Sequence, residues 1–323
     1  MAIDRPCVKL LMLIGLTWQL SANSWAQNYP VKAVRYLVSD QAGSATDVLA
    51  RIVATELTER FGQQVVVDNR PGAASIIGAE IAARAPADGY TLVQLPTTVT
   101  VTVSLYKKLP YDLVRDFTPV TRIASGPSVV VVPSSSPLKS IGDLLKLAKA
   151  KPGTINSASA GVGTCTFLAG ELFKKQAGVD LMHVPYRGGG DALTAILSGE
   201  VSVYFAPLAV ALPQIQAGKL RALAVTSAKR LPFLAEFPTV AESGVPGFEF
   251  SCWYGLMVPA ATPKQTVAKI HSAVISVLEK PDVRKRLNAL GYIPGNDRPE
   301  EFAALIKSEI ASYREIVRGI PAQ

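Results

Sequence analysis

The sequence has few of the side chains with which enzymes usually catalyse reactions or bind metals. Among its 323 residues there are only three cysteines and two histidines. It has no Gly-x-Ser-x-Gly turn, no His-Glu-x-x-His helix and no cluster of cysteine and histidine, which are typical of serine hydrolases and zinc enzymes. We therefore expect a protein that is not an enzyme and that uses no cofactor or metal.

Charge and long hydrophobic runs are also scarce. Charged residues make up 18% of the chain and hydrophobic residues 49%, which is typical of a folded protein. Beyond residue 26 no unbroken apolar run reaches the roughly 18 residues that a membrane-spanning helix needs. The formal charge is +8, but the lysines and arginines are scattered, so the sequence does not indicate a nucleic-acid groove.

The amino terminus has the pattern of an export signal. Arg5 and Lys9 lie at the start of a short apolar run over residues 8–16, and Ser24 and Ala26 are small residues at the positions that signal peptidase recognises. We predict a signal peptide over residues 1–26, cleaved after Ala26. Cys165 and Cys252 remain in the mature chain, and export permits a disulfide between them. Because distance in sequence does not give distance in space, their pairing stays open.

The first motif is a strand, a turn and a helix start over residues 36–47. Tyr36 to Ser39 favour a strand, Gly43 suits a tight turn, and Ser44 with Asp47 forms a capping box. The free amides at the start of such a helix can bind a carboxylate without lysine or arginine. An ordinary strand-to-helix turn explains the pattern about equally well.

Strand and helix patterns then alternate, which predicts an α/β fold with parallel strands. We expect a break between extended segments at Ser125-Gly126-Pro127, where the chain crosses to a second lobe. Thr97 and Thr98 follow the third strand, at the end where open α/β sheets bind ligands, although solvation of a loop also explains their hydroxyls.

Two later loops resemble the first in composition. Residues 157–164 are small, contain Gly161 and Gly163, and lead into a predicted helix, so two helix starts that face each other would bind one anion from two sides. Residues 186–191 precede another helix and contain Arg187. That arginine would bind an anion bidentately or would be an ordinary surface charge.

Over the whole mature chain, the sequence resembles the Bug, or tripartite tricarboxylate transporter, solute-binding proteins of bacteria. The matching segments are Tyr29-Pro30, Ala42-Gly43 through Asp47, Asp68-Asn-Arg-Pro-Gly72, Ala87-Asp-Gly-Tyr-Thr-Leu92, Leu105-Tyr-Lys-Lys-Leu-Pro-Tyr111, Leu168-Ala-Gly-Glu-Leu-Phe173, His183-Val-Pro-Tyr186, Ala217-Gly-Lys-Leu-Arg-Ala-Leu-Ala-Val-Thr-Ser227, Pro238-Thr-Val-Ala-Glu-Ser-Gly244 and Pro281-Asp-Val-Arg-Lys-Arg-Leu287.

This resemblance implies a two-lobed α/β periplasmic binding protein of the type 2-like fold. Each lobe would be a mostly parallel sheet flanked by helices, with the ligand in the cleft between the lobes. The first lobe would comprise residues 27–125 and 251–323, and the second lobe residues 126–250. We expect a monomer that delivers a small carboxylate to a membrane permease.

From the motifs and the resemblance together we predict nineteen ligand-binding residues. They are Gln41, Ala42, Gly43, Ser44, Ala45, Thr46, Asp47, Thr97, Thr98, Ser159, Gly161, Gly163, Thr164, Cys165, Thr166, Tyr186, Arg187, Asp191 and Tyr204.

Departures from the family pattern leave the ligand open. Phe167 and Ala195 stand where the family often has histidine and aspartate, which favours a less polar pocket. Asp40 and Asp191 favour a ligand that carries an amine, or repel a tricarboxylate. Two other functions also stay open, a sensory module for a membrane signalling protein and, less in keeping with the missing motifs, a periplasmic hydrolase.

Overall fold

The structure is a computed structural model that describes residues 29–106 and 108–317. The predicted signal peptide, residues 1–26, lies outside the described residues. Within the described part no helix is long and apolar enough to cross a membrane.

The described strands form one sheet in the order β2-β1-β3-β9-β4-β7-β5-β6, and β8 and β10 both pair with β4. The strands are β1 (Val34–Val38), β2 (Val65–Asn69), β3 (Thr91–Pro96), β4 (Phe117–Pro133), β5 (Asn156–Ser159), β6 (Met182–Pro185), β7 (Val203–Pro207), β8 (Leu220–Val225), β9 (Ser251–Pro259) and β10 (Ile293–Pro294).

Helices cover both faces of this sheet. They are α1 (Ala45–Phe61), α2 (Ile76–Ala83), α3 (Thr98–Leu105), α4 (Ile141–Ala150), α5 (Cys165–Ala177), α6 (Gly189–Ser198), α7 (Leu208–Gln216), α8 (Lys264–Leu278), α9 (Pro281–Ala289) and α10 (Pro299–Ile316).

The sheet has two halves that share β4. In the first half β1 pairs in parallel with β2 and β3, and β9 pairs antiparallel with β3 and with the amino-terminal part of β4. In the second half β5 pairs in parallel with β6 and β7, while the carboxyl-terminal part of β4 pairs antiparallel with β7 and β8. Parallel pairing is therefore limited to the outer strands, because β4 and β9 run against their neighbours.

The predicted break at Ser125-Gly126-Pro127 is wrong, since β4 runs without interruption over 17 residues. Gly126 pairs with Cys252 and Pro127 with Ser251 in β9, and from Ser128 onward β4 pairs with β7 instead. Pro127 thus lies where β4 changes partner, a position at which the missing amide proton removes little from the ladder. The crossing between halves is a strand rather than a loop.

Two helices were not expected from the sequence. The sequence did not indicate a helix after the third strand, but α3 begins at Thr98 although it contains six β-branched residues, four of which are buried. Helix α7 contains Pro213, which normally disfavours a helix interior. In both segments tertiary packing outweighs local propensity.

Helix α10 contacts both halves of the molecule. Phe302 and Ile306 belong to a buried cluster of the first half, together with Trp253. Tyr313 and Val317, at the far end, belong to the core of the second half. Helices α9 and α10 begin at Pro281 and Pro299, since proline suits the first turn of a helix.

Candidate functional site

A cavity of about 500 Å³ lies between the two halves, at the ends of the strands. Its lining comes from the loop before α1, the start of α3, the start of α5, the start of α6, and β9. The lining residues are Asp40, Gln41, Ser44, Ala45, Thr46, Pro96, Thr98, Ala160, Thr164, Cys165, Thr166, Gly188, Gly189, Cys252 and Tyr254. Four helices therefore direct their amino-terminal ends toward one space.

The start of α1 is fixed by its own side chains. Ser44 Oγ accepts a hydrogen bond from the amide of Asp47 at 3.2 Å, which confirms the predicted cap. The carboxylate of Asp47 does not return to Ser44 as a capping box requires, and accepts instead from the amide of Gly43 at 2.8 Å. Gly43 adopts φ +82° in this turn, a conformation for which glycine is favoured.

Asp47 is buried and structural in this arrangement. Burial alone would raise its pKa, but hydrogen bonds from Arg51, the Gly43 amide and Asn69 lower the pKa below its usual value. Asp47 does not line the cavity. Its role is to hold the turn so that the amides of Ala45 and Thr46, which have no partner among the described residues, remain available.

The start of α5 has the same construction from different residues. Thr164 Oγ1 donates to the carbonyl of Gly161 at 2.7 Å and accepts weakly from the amide of Phe167. Thr166 Oγ1 accepts from the amide of Ala160 at 2.8 Å. The amides of Cys165 and Thr166 have no acceptor within the described segments, so they add donors on the opposite side of the cavity.

Helices α3 and α6 begin without any side-chain cap. At α3, Thr97 is buried and its hydroxyl bonds both the amide and the carbonyl of Trp253, which fixes the helix start against β9. At α6, Gly188 is the N-cap residue and lines the cavity. Uncapped amide ends carry partial positive charge that an anion can neutralise.

The two cysteines left open by the sequence form a disulfide. Cys165 is the first residue of α5 and Cys252 lies in β9, and their Cα atoms are 5.9 Å apart although the residues are 87 positions apart in the chain. Both line the cavity. The bridge therefore joins the second half to the first at the wall of the site.

Tyr204, a residue of β7, lies beneath the start of α6. Its side chain is fully buried, and its hydroxyl has no hydrogen-bond partner of normal geometry among the described residues. A Cβ on Gly189, which lines the cavity, would be 3.8 Å from this hydroxyl. Burial, offset in part by the nearby Thr166, raises the pKa of Tyr204 to about 12, so the hydroxyl is a neutral donor at pH 7.

Asp40 is the one charged side chain that lines the cavity within the described part of the chain. Its carboxylate accepts hydrogen bonds from the hydroxyls of Thr46 and Ser75. Tyr254 is its ionisable neighbour. Burial, with smaller contributions from Tyr292 and the charge of Asp40, raises the pKa of Tyr254 well above its usual value, so Tyr254 stays neutral.

Eight of the predicted site residues line the cavity, namely Gln41, Ser44, Ala45, Thr46, Thr98, Thr164, Cys165 and Thr166. The others lie behind or beside it. They are Ala42, Gly43, Asp47, Thr97, Ser159, Gly161, Gly163, Tyr186, Arg187, Asp191 and Tyr204. The ring of Phe167 is also buried away from the cavity, against His183.

The lining residues absent from the predicted set are Asp40, Pro96, Ala160, Gly188, Gly189, Cys252 and Tyr254. A sequence signal existed for two of them, because Cys252 and Tyr254 are two apart in a strand and so share one face. The identity of that face depends on the pairing of β9 with β3 and β4, which the sequence does not give.

Two other cavities are less suited to an anionic ligand that would be bound by helix starts from both halves of the molecule. Tyr186, Arg187 and Asp191 line a separate cavity of about 470 Å³ beside α6, which is open and confined to the second half. A larger cavity of about 760 Å³ contains Ser251, so it lies on the other face of β9. No α-helix begins among its described lining residues. Within the described residues no group of three or more histidine, cysteine, aspartate or glutamate side chains is placed to bind a metal.

Comparisons with known proteins agree with this architecture. The UPF0065 protein of the tcbD-tcbE intergenic region in Pseudomonas sp. (strain P51) is 39% identical over 316 residues, which cover 98% of this chain and 94% of that protein. The structure of R. palustris Rpa4515 with adipate has a TM-score of 0.79 and 35% identity, and the match covers 90% of this chain and 97% of that one.

A second solved structure, MatC (Rpa3494) from Rhodopseudomonas palustris with bound malate, has a TM-score of 0.75 and 31% identity over 90% of this chain and all of that one. These neighbours confirm the predicted α/β periplasmic binding protein fold.

The model of the tripartite tricarboxylate transporter family receptor matches residues 49–321. Proteins of this family are periplasmic solute-binding receptors and not enzymes. Because the match extends over most of the chain and a relative is 39% identical across it, this protein belongs to the tripartite tricarboxylate transporter receptor family.

Proposed function

We propose that this receptor binds a small organic carboxylate in the cavity between its two halves and delivers it to a membrane permease. The halves act as the predicted lobes, residues 27–125 with 251–323 and residues 126–250. The protein is exported after cleavage at Ala26 and acts as a monomer.

The observation that supports this proposal most directly is the convergence of four helix amino termini on a cavity whose described lining contains no lysine, arginine or histidine. Each terminus carries roughly half a positive charge and unpaired amides. A carboxylate fits such a site because its oxygens accept several hydrogen bonds at once. A cation would meet only Asp40.

The ligand size follows from where the donors lie. Donors at α1 and α3 belong to the first half, and donors at α5 and α6 belong to the second. One ligand can therefore contact donors of both halves, and a dicarboxylate can place one carboxylate at each set. The similar receptors solved with adipate and malate support this choice of ligand class.

Closure around the ligand is supported by contacts between the halves. Leu105 and Val101, in α3, pack against Gly163 so closely that an added Cβ would lie 3.1 Å from Leu105. In the described conformation the two sides of the cleft are therefore in contact at this point. A ligand that bonds both halves stabilises it relative to an open form, and the closed surface is what a permease recognises.

The test is the melting temperature of the protein with a panel of mono-, di- and tricarboxylates, aromatic acids and amino acids. A ligand at 100 times its Kd adds about 2.7 kcal/mol, which raises Tm by roughly 4 °C in a protein of this size. We expect the largest shift from a dicarboxylate. The protein is unfolded and refolded first, to remove any ligand retained from the cell, and no shift with any acid would refute the proposal.

A matched pair of variants locates the site. Gly188 lines the cavity with extended backbone and open space around it, while Gly190, two residues on, has equal space but lies outside the lining. Gly188→Phe should abolish the ligand-induced shift because its ring fills the cavity. Gly190→Phe should keep it, and equal behaviour of the two variants would place the ligand elsewhere.

A further inference from the structure

The disulfide lies at the wall of the proposed ligand site and connects its two sides. Cys165 begins α5, which supplies donors from the second half, and Cys252 lies in β9 of the first half. Both cysteines are only partly buried and both line the cavity. The disulfide is therefore part of the cavity wall that the ligand would cover.

We propose that the Cys165–Cys252 disulfide is a thiol-exchange site whose reduction weakens carboxylate binding, and that a bound carboxylate protects it from reduction. The inference rests on the proposed function, because it requires an anionic ligand in this cavity. Its chemistry needs a dithiol reductant, such as dithiothreitol or a dithiol protein.

The exchange proceeds in two balanced steps. A thiolate of the reductant attacks one cysteine sulfur, forms a mixed disulfide and releases the other cysteine as a thiolate. The second thiol of the reductant, once deprotonated, displaces the remaining cysteine. The products are two cysteine thiols and one oxidised reductant, so the two electrons gained by the protein come from the dithiol.

Reduction changes the site in two ways. It releases the start of α5 from β9, so the donors of the second half are no longer held beside those of the first. It also leaves the Cys165 sulfur at the first position of a helix, where the amide end favours a thiolate. That thiolate would use the same positive helix end as the ligand carboxylate and would repel it.

The affinity of adipate and of malate, measured separately by calorimetry at pH 8, tests this directly. We expect the oxidised protein to bind most tightly, the Cys165→Ser/Cys252→Ser double variant a few-fold more weakly, and the reduced protein roughly tenfold more weakly than the oxidised one, because two like charges share one site. Equal affinities of oxidised and reduced protein would overturn the inference. Circular dichroism of the reduced protein checks that it stays folded.

Two single variants separate the charge from the tether. Cys252→Ser and Cys165→Ser both lose the bridge. Cys252→Ser keeps the thiol of Cys165 at the start of α5, whereas Cys165→Ser keeps the thiol of Cys252 in β9. The other titratable groups that face the cavity, Asp40 and Tyr254, are the same in both variants. At pH 8 Cys252→Ser should therefore bind several-fold more weakly than Cys165→Ser, and the ratio should approach one at pH 5.5. A ratio that is one at both pH values would refute the role of the thiolate.

Protection by the ligand needs no variant. Thiol labelling followed by mass spectrometry gives the rate at which dithiothreitol reduces the oxidised protein. At ten times the Kd of the ligand, only about one molecule in eleven is free, so reduction should slow roughly tenfold. An unchanged rate would show that the ligand does not cover the disulfide.

The failures of the two proposals are distinguishable. If the oxidised protein binds no carboxylate in any measurement, the proposed function fails and this inference fails with it. The second case is an oxidised protein that binds a carboxylate, with an affinity that reduction does not change and a reduction rate that the ligand does not change. In that case only the inference about the disulfide fails.

Discussion

Asp40 determines the charge of a cavity that otherwise offers neutral donors. Phe167, Asp191 and Ala195, three other departures from the family pattern that bear on ligand polarity, do not line the cavity. The question of ligand polarity that the sequence left open therefore depends mainly on Asp40. An acid at this position favours a ligand that carries an amine, or repels a tricarboxylate.

Asp40→Asn should separate these two ligand classes. If the ligand is a plain dicarboxylate, removal of the like charge should tighten binding about three- to tenfold, since the amide oxygen can still accept from Thr46 and Ser75. Isothermal calorimetry with adipate, malate and acidic amino acids measures the change. Tighter binding of an amino acid by the wild type than by the variant would instead show that Asp40 pairs with an ammonium group. Asp191→Asn, at an exposed acid outside the lining, is the control.

Tyr204 and Tyr111 form a natural pair for a second prediction. Both hydroxyls are buried and have no partner of normal geometry among the described residues, but only Tyr204 lies next to the lining of the cavity. Removal of an unsatisfied buried hydroxyl should raise the free energy of unfolding of the ligand-free protein by about 1 kcal/mol at either site.

The affinities of the two variants should differ. Tyr204→Phe should weaken carboxylate binding about fivefold because it removes a hydroxyl dipole directly behind Gly189 in the cavity wall, which corresponds to about 1 kcal/mol. Tyr111→Phe should leave affinity unchanged. Urea unfolding and calorimetric titration of both variants measure the two quantities, and equal affinities of Tyr204→Phe and wild type would exclude Tyr204 from the site.

At the scale of elements, the helix starts could be predicted and their surroundings could not. Ser44 and Thr164 are recognisable caps because capping depends on residues three apart in sequence. The contributions of Gly188, Cys252 and Tyr254 depend on which strands pair across the molecule. That pairing is set by long-range contacts of β4 and β9, and no local pattern in the sequence encodes it.

The same distinction explains the fold. The outer β-α-β units were predicted because hydrophobic periodicity and turn residues are local. The continuous β4 was missed because Gly126 and Pro127 normally end a strand, and only the change of partner from β9 to β7 makes them compatible with one.

Helix α10 contains a carboxyl group with an unusual pKa. Glu309 accepts hydrogen bonds from Trp253 Nε1 at 2.8 Å and from Thr100 Oγ1 at 3.3 Å. Burial raises its pKa to about 7, although these hydrogen bonds and the charge of Arg122 partly oppose the shift. The native protein therefore binds more protons than the unfolded chain between the ordinary pKa of glutamate and pH 7.

Stability should fall as pH rises through this window, since the protonated carboxyl is favoured only in the folded state. Glu309→Gln should match the wild type near pH 4 and exceed its free energy of unfolding by about 3 kcal/mol at pH 8, because the amide stays neutral. Urea unfolding across this pH range measures the difference.

Glu301→Gln, at an exposed residue in the first turn of α10, is the control. The guanidinium and amide of Arg298 lower the pKa of Glu301, so this variant should show no gain at pH 8. A gain at pH 8 that is the same for both variants, or absent from both, would contradict the assignment to Glu309.

At the scale of the whole molecule, the two halves are joined more firmly than a simple hinge would require. The strand β4 runs through both, the disulfide connects α5 to β9, and α10 contributes side chains to both cores. Lys175 of α5 also pairs with Glu315 of α10 at 2.9 Å. Closure of the cleft must therefore involve bending within these connections rather than free rotation of separate lobes.

This coupling predicts that the oxidised protein unfolds in one cooperative transition. Differential scanning calorimetry should give equal calorimetric and van't Hoff enthalpies, because neither half can lose its core while α10 stays packed on the other. Phe302→Ala and Tyr313→Ala each remove a large buried ring and should lower stability by several kcal/mol. Phe302 lies in the first core and Tyr313 in the second.

The two variants should differ in cooperativity, most clearly after reduction. Tyr313→Ala detaches the end of α10 from the second core, and without the disulfide little besides β4 then couples the halves, so its transition should broaden or divide in two. Phe302→Ala weakens the packing of α10 on the first core but keeps Tyr313 and Val317 packed on the second. Its unfolding transition should therefore broaden less than that of Tyr313→Ala. Two resolved transitions in the oxidised wild type would show that neither α10 nor the disulfide links the cores, and that the halves are energetically independent.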